Sequence, residues 1–327
     1  MDIFSVTGIG FLLYLVSYAV ILMIADCDAQ LFFATIFGRR KLAKFKDKVI
    51  WITGASSGIG EHIARLAAHY GAKLILTARN EAELERVKRL CIEEGKVSED
   101  DVLVLPLDIT DISKHQSAFD KVIQRFGHLD ILVNNAGRSQ RATWENIDVQ
   151  VDRDMFELNV FSNVSLSRLV AKHFLQRNEG HLAVTSSIAG VLTTPFSPTY
   201  CGTKFALHGY YGSFFKEKVE SNVGVTLLCP GPVVSNLLPA CFTDKPGEKF
   251  GESHTANDSR MTGERCAYLS LIAIANDLQE VWMAKFPVIL LTYFSVYCPN
   301  ISLWMYKRIG NRAMQRLRDQ RETVRNS

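Results

Sequence analysis

Tyr200 and Lys204 stand four residues apart in the run Tyr200-Cys201-Gly202-Thr203-Lys204, with Ser187 thirteen residues upstream. On one turn of helix that spacing puts a phenol and an ammonium on the same face. A cation beside a phenol favours its ionised form and pulls its pKa down from about 10, at about 1.4 kcal/mol per unit. A tyrosine so placed can give and take a proton near neutral pH. Spacing alone does not separate this pair from an ordinary helix surface, because Tyr and Lys recur four apart by chance. Far upstream, Gly54-Ala55-Ser56-Ser57-Gly58-Ile59-Gly60 is a glycine-rich turn. Its backbone N–H groups could approach a pyrophosphate at the positive end of a helix dipole.

These groups need elements to hold them. An apolar run at 49–53 stops at the glycine turn, and behind it Ile59, Ile63, Leu66, Ala67 and Tyr70 recur at helical spacing. Strand, glycine turn and amphipathic helix are the context that gives such a motif its meaning. Further strands are predicted at 73–78, 102–107, 129–133, 181–185, 225–229 and 280–284. Helices are predicted at 81–94, at 113–126, from near Asp152 through Asn159, from Tyr200 to about Glu220, and from Thr262 or Gly263 to about Asn276. This alternation predicts an α/β fold: a Rossmann-type, doubly wound parallel sheet of about seven strands with helices on both faces. Dinucleotides bind at the carboxyl ends of such strands.

Those strand ends carry the chemistry. The second ends in Ala78-Arg79, where an acid would hold the ribose hydroxyls of NAD. Arg79 would instead meet the 2′-phosphate of NADP(H), or be a solvated charge. Asp108 could accept a hydrogen bond from the adenine amino group, or cap the helix that follows. The fourth strand leads into Asn134-Asn135-Ala136-Gly137, the fifth delivers Ser186 and Ser187, and the sixth ends in Pro230-Gly231-Pro232-Val233-Val234-Ser235. Ser186 would face the other side of its strand.

Composition removes several classes. With 327 residues, 47% hydrophobic and 22% charged, the chain reads as one large globular domain with additions, not as a disordered or repeat protein. A net charge of +3 gives no electrostatic footprint for nucleic acid. The seven cysteines are scattered without a C-x-x-C and the eight histidines lack any metal-ligand spacing, so no metal site is expected.

Taken in order, these motifs resemble the short-chain dehydrogenase/reductase family. The T-G-x-x-x-G-x-G pattern falls on Thr53 to Gly60, N-N-A-G on Asn134 to Gly137, and the serine, tyrosine and lysine of its active site on Ser187, Tyr200 and Lys204. Its tetrad asparagine falls on Asn159 and its P-G loop on Pro230-Gly231, with Ser235 where a threonine is usual. The resemblance covers about residues 47–285, and the runs WITGASSGIGE, DILVNNAGRSQR, CPGPVVSN and ANDLQEVW resemble a membrane-associated branch. It implies that Asn159, Ser187, Tyr200 and Lys204 are catalytic. It implies that Thr53, Gly54, Ser56, Ser57, Gly58, Ile59, Gly60, Arg79, Asp108, Asn135, Ala136, Tyr200, Lys204, Pro230, Gly231, Val233 and Ser235 bind the cofactor. In that scheme Tyr200 gives its proton to a carbonyl oxygen while hydride reaches the carbon. Ser187 fixes the oxygen, Lys204 tunes the phenol and bonds the nicotinamide ribose, and Asn159 holds a water for reprotonation. The alternative for Asn159 is an interior amide satisfied by backbone. The family also implies a homodimer through the helices carrying Asn159 and Tyr200.

Outside that core, residues 4–24 carry no charge. As a helix they would be about 31 Å long, enough for a hydrocarbon core of about 30 Å. Residues 1–27 therefore read as a single-pass anchor, 28–46 as a basic linker and 47–285 as the NADP(H)-binding domain. A lid is expected at 237–262, with Leu238, Phe242 and Phe250 as candidate walls of the substrate site. The run 286–298 is strongly apolar, and from 307 to 327 the tail has seven basic against two acidic residues. Membrane docking, a dimer contact and a cover for the substrate pocket all suit residues 286–327. The endoplasmic reticulum membrane is the expected location. The basic cluster at 39–48 and the sequons at Asn163, Asn257 and Asn300 leave the side of the membrane open. The resulting expectation is a membrane-anchored NADPH-dependent carbonyl reductase or alcohol dehydrogenase for lipophilic, steroid- or retinoid-like compounds. A non-catalytic NADP(H)-binding scaffold and an NAD-dependent oxidising enzyme are the rival readings.

Overall fold

A computed structural model of the chain describes residues 3–234, 239–251 and 260–310. Its centre is a sheet of β1 (Val49–Thr53), β2 (Lys73–Thr77), β3 (Val102–Val104), β4 (Ile131–Asn134), β5 (Gly180–Thr185), β6 (Val223–Pro230) and β7 (Glu280–Met283). The order is β3-β2-β1-β4-β5-β6-β7, and every neighbouring pair is parallel. In chain order the α-helices are α1 (Ile3–Ile24), α2 (Ala29–Phe37), α3 (Gly58–His69), α4 (Glu81–Glu94), α5 (His115–Phe126), α6 (Val149–Phe156) and α7 (Ser162–Arg177). They continue with α8 (Pro198–Glu217), α9 (Gly263–Ala275), α10 (Val288–Tyr297) and α11 (Pro299–Ile309).

Strand periodicity makes the two layers. Ile50 and Ile52 of β1 join a core with Leu31 of α2, Ile63 of α3, Leu84 of α4 and Ile272 of α9. Val49 and Trp51, on the opposite face, pack with Val122 of α5, Val170 of α7 and Leu207 of α8. All five residues of β1 are buried, as expected of a central parallel strand covered on both sides. The Trp51 indole satisfies its N–H on Thr77 Oγ1 at 2.8 Å, so the largest side chain of the strand is buried without an orphaned donor.

The predicted doubly wound sheet is present, and the differences lie at its margins. The third strand was expected to reach Leu107. The N–H groups of Leu105 and Leu107 do still reach Leu76 and Ala78, but Pro106 sits at the alternate, outward position of an edge strand. The fourth strand starts at Ile131, not Leu129, although Asp130 still ties to β1, donating its N–H to Val49 O at 3.0 Å and taking the Val49 N–H on its Oδ2 at 2.9 Å. Residues 28–46, expected as a linker, fold instead as α2 and a 3-10 turn, Arg39–Phe45, with Leu31, Leu42 and Phe45 buried in the core. Asp28 caps α2 through Leu31 N–H at 2.9 Å, and its other oxygen takes Trp282 N–H, fastening this segment to β7. Pro299 opens α11 in its first turn, where a missing N–H costs nothing.

Helix α1 runs for 22 residues, but some of its side chains lie outside those described. Among the described residues no helix is long and apolar enough to cross a membrane. Of the three sequons, Asn163 is buried with its Oδ1 hydrogen-bonded by Tyr211, Asn300 is exposed at the start of α11, and Asn257 lies outside the described residues.

Asp130 offers a test of this core. It is 4% exposed and has Lys48, His128 and Arg177 within 3.4 Å. Burial alone would raise its pKa, but the Val49 N–H, Lys48 and Arg177 outweigh burial and hold it below the usual carboxylate range. Asp130→Ala should destabilise the fold by about 3 kcal/mol at pH 7 in thermal or urea unfolding. A carboxylate with a depressed folded pKa stabilises above its unfolded value and loses that as pH falls, so the gap to wild type should close below about pH 4.

Candidate active site

The glycine turn meets the loop after β4 where the strand order reverses. Gly54 has φ +66°, and a Cβ there would stand 2.9 Å from Ala136 Cα. A Cβ on Gly60 would fall 2.3 Å from Gly54 O, so this glycine lets α3 close on the turn. Thr53 fixes the two loops together: its Oγ1 accepts from the N–H of Asn135 (3.0 Å) and of Ala136 (3.1 Å). The Asn135 amide donates back to the carbonyls of Thr53 and Gly54.

A cleft of about 400 Å³ opens above this join. It is lined by Gly54, Ser56, Ser57, Gly58, Ile59, Arg79, Asp108, Asn135, Ala136, Tyr200, Lys204, Pro230, Gly231 and Val233, all expected cofactor residues. Thr53 and Gly60 stand behind the wall as its scaffolding, and Ser235 lies outside the described residues. Asp108 is exposed, and its Oδ1 accepts from the N–H and hydroxyl of Thr110. It thus caps the local turn while facing the cleft.

Three elements bring the tetrad together. Helix α8 starts with Pro198 in its first turn and is seated by Gln140, whose side-chain oxygen accepts the Thr199 N–H at 3.1 Å. Tyr200 and Lys204 follow one turn apart, with Lys204 Nζ 5.6 Å from the centre of the Tyr200 ring. Lys204 is 5% exposed and donates to Thr185 O at 2.7 Å. Ser187, at the end of β5, donates to Pro230 O at 3.2 Å, while the Ser186 hydroxyl turns to His208 Nε2 at 2.9 Å, as strand alternation predicts. Asn159 sits in the π-helical turn Glu157–Phe161 that joins α6 to α7. Its amide bonds both the N–H and the C=O of Arg138 at 2.9 Å and donates to Thr203 Oγ1 at 3.1 Å. The side chain thus clamps the loop after β4 to α8.

The expected lowering of the phenol pKa is overturned. Burial pushes Tyr200 up to about 12, with the Ser187 hydroxyl working against it. The ammonium stands off the ring face, and burial brings Lys204 itself down to about 8. A tyrosine in this state holds its proton at neutral pH.

Tyr200 and Ser187 also line a second cavity, of about 740 Å³. Its roof is formed by Val288, Leu291 and Phe294 of α10 with Leu303, Tyr306 and Ile309 of α11. The expected wall residues Phe242 and Phe250 do not line it, and Leu238 lies outside the described residues. Phe242 exchanges backbone hydrogen bonds with Ser139 and Arg141 and turns its ring to the Arg138 guanidinium, 5.6 Å away. Cys241 and Arg260 face the cavity in their place. Sequence reasoning missed Thr185 and Arg138. Thr185 acts through its carbonyl, which leaves no mark on residue type, whereas a basic residue directly after a strand-end glycine was a usable signal.

The family model described as short chain dehydrogenase matches residues 48–245. The chain belongs to the short-chain dehydrogenase/reductase family. It is an oxidoreductase of alcohol and carbonyl groups, on a fold that binds a nicotinamide cofactor. Human dehydrogenase/reductase SDR family member 7 is 40% identical over 292 residues, 89% of this chain and 86% of that protein. A Dictyostelium discoideum relative, dehydrogenase/reductase SDR family protein 7-like, is 33% identical over 243 residues, 73% of this chain and 74% of its own length. A short-chain dehydrogenase from Streptomyces avermitilis has a similar structure, with a TM-score of 0.67 at 25% identity over 81% of this chain and 98% of that one. An alcohol dehydrogenase from the archaeon Thermococcus sibiricus, solved with 5-hydroxy-NADP, gives 0.63 at 25% identity over 74% and 97%.

Lys204 makes a stability prediction for this member of the family. A buried lysine with a folded pKa of about 8 carries a desolvation cost below that pH, relieved as pH rises toward its unfolded value near 10.4. Lys204→Met should therefore raise the unfolding temperature of the cofactor-free protein at pH 7, by the equivalent of about 1 kcal/mol. That gain should shrink as pH rises from about 8 to about 10, between the folded and unfolded pKa values, measured by differential scanning fluorimetry.

Proposed function

We propose that this protein is a membrane-anchored, NADPH-dependent carbonyl reductase, reversible to an alcohol dehydrogenase, acting on lipophilic ketones or aldehydes of steroid or retinoid type. The observation that carries this reading is the position of Tyr200 and Ser187, which line both the dinucleotide cleft and the apolar cavity. The bound cofactor supplies the hydride that forms the new C–H bond. Tyr200 supplies the proton, and a phenol that keeps its proton at neutral pH is the correct donor to an oxygen becoming an alkoxide. Ser187 holds that oxygen by a hydrogen bond, and Lys204 stands behind the phenol as a group able to exchange protons near pH 8. Asn159 keeps the cleft loop and α8 in register.

Arg79, exposed at the end of β2 and facing the cleft, supports NADP(H) over NAD(H). The apolar roof supports a lipophilic substrate. Anchoring draws support from α1, whose Tyr18 hydroxyl donates to that of Tyr293 on α10 at 3.0 Å. Phe11, Leu12 and Leu13 of α1, and Leu303 and Trp304 of α11, are all more than half exposed. Lys307 and Arg308 follow them at the end of α11. The endoplasmic reticulum membrane suits such a protein. A homodimer through α7 and α8 draws support from Phe161, Phe205 and Tyr210, each more than 40% exposed on or beside those helices.

Detergent-solubilised enzyme should oxidise NADPH with lipophilic carbonyls, and Tyr200→Phe should cut turnover about a thousandfold without weakening NADPH binding. Tight NADPH binding with no turnover on any carbonyl would instead leave a scaffold, and an Arg79→Asp variant that kept its cofactor choice would leave an NAD-dependent enzyme. In cells the full chain should stay in the membrane pellet through alkaline carbonate washing, and its release would remove the anchor.

A further inference from the structure

A second guanidinium faces the adenosine end of the cleft, and the reaction described above does not use it. Arg138 follows Gly137 after β4, and its backbone N–H and C=O are both held by Asn159, itself 1% exposed. The residue is therefore fixed in place by the same amide that seats α8. Its guanidinium lies over the Phe242 ring at 5.6 Å and has no carboxylate within ion-pair distance among the described residues. Burial presses its pKa below the ordinary arginine range and the charge of Arg79 adds to this, with Asp108 acting in the opposite sense. Arg79, Asp108 and Arg138 all line the cleft. Asp108 has already given one oxygen to Thr110.

Two cations that oppose each other, one of them partly desolvated, raise the free energy of the empty cleft until an anion comes between them. We propose that Arg138 and Arg79 together hold the phosphate monoester on the adenosine ribose of NADP(H), one guanidinium from the end of β4 and the other from the end of β2. This rests on the NADP(H) reading above. A monoester carries about −1.5 to −2 charges at neutral pH and three acceptor oxygens, enough for two forks. NADH would leave both guanidiniums without their anion, so selection comes from a penalty on the wrong cofactor as well as a contact with the right one. Phe242 holds the Arg138 side chain over the site meanwhile, which lowers the ordering cost on binding.

The test is binding, measured by titration calorimetry on the full-length, detergent-solubilised protein with NADPH, NADH and 2′,5′-ADP. Arg138→Gln should weaken NADPH and 2′,5′-ADP about tenfold to a hundredfold and leave NADH within about twofold. Arg138→Lys should keep part of the preference. Wild-type NADPH affinity should also fall with added salt more steeply than NADH affinity, a readout that needs no variant to fold. Equal losses for NADPH and NADH in Arg138→Gln would assign Arg138 to the shared pyrophosphate or adenine and overturn the proposal. If Arg79→Gln alone removes the preference while Arg138→Gln keeps it, NADP(H) use stands and the paired site is wrong. A wild type that binds both cofactors equally would remove the underlying reading itself.

Discussion

The Thr53 hydroxyl is the join on which the rest of the site depends. A doubly wound sheet reverses direction between β1 and β4, and the loops leaving those strands must part to open a crevice. Left to themselves, they would expose several backbone N–H groups with no fixed geometry. One oxygen that accepts from both Asn135 and Ala136 holds the loops at a single separation. The close approach this enforces is tolerable only with Gly54 and Gly60 at the contact, because a Cβ at either would meet backbone inside 3 Å.

From that join, rigidity passes outward through polar side chains that reach backbone. Asn135 hands its carbonyl oxygen to the Thr185 hydroxyl at 3.3 Å, and Thr185 hands its own carbonyl to Lys204. Asn159 closes the ring by tying Arg138 to Thr203 of α8. A dinucleotide wall and a proton-donating helix, from opposite halves of the chain, become one body through these hydrogen bonds. The buried ammonium that this arrangement requires is destabilised by burial, and its hydrogen bond to the Thr185 carbonyl offsets part of that cost.

The sequence made the interior legible and the periphery less so, for physical reasons. A parallel strand buried on both faces must be an unbroken apolar run, so 49–53 could be read directly. Tetrad spacing was equally legible, since helix and strand geometry fix which side chains converge. Residues 28–46 misled because their basic side chains mark solvent while Leu31, Leu42 and Phe45 face inward beneath them. The phenol pKa was misjudged because spacing reports proximity and says nothing of burial, and here burial dominates. Phe242 read as a pocket wall by position in the chain, whereas backbone pairing with residues 139 and 141 turns it toward Arg138.

The π-helical turn at Glu157–Phe161 acts as a vernier between two helices. One residue more than an α-helix needs rotates everything beyond it by about 100° about the axis. Upstream of that offset, Val151 and Met155 are buried beside α8; downstream, Val164, Ser167 and Val170 are turned to the sheet. Asn159, inside the offset, is left facing the backbone of Arg138. Deleting one residue from this turn would restore a regular helix yet put one of those faces out of phase. The length of this segment is therefore constrained to the residue, independently of its composition.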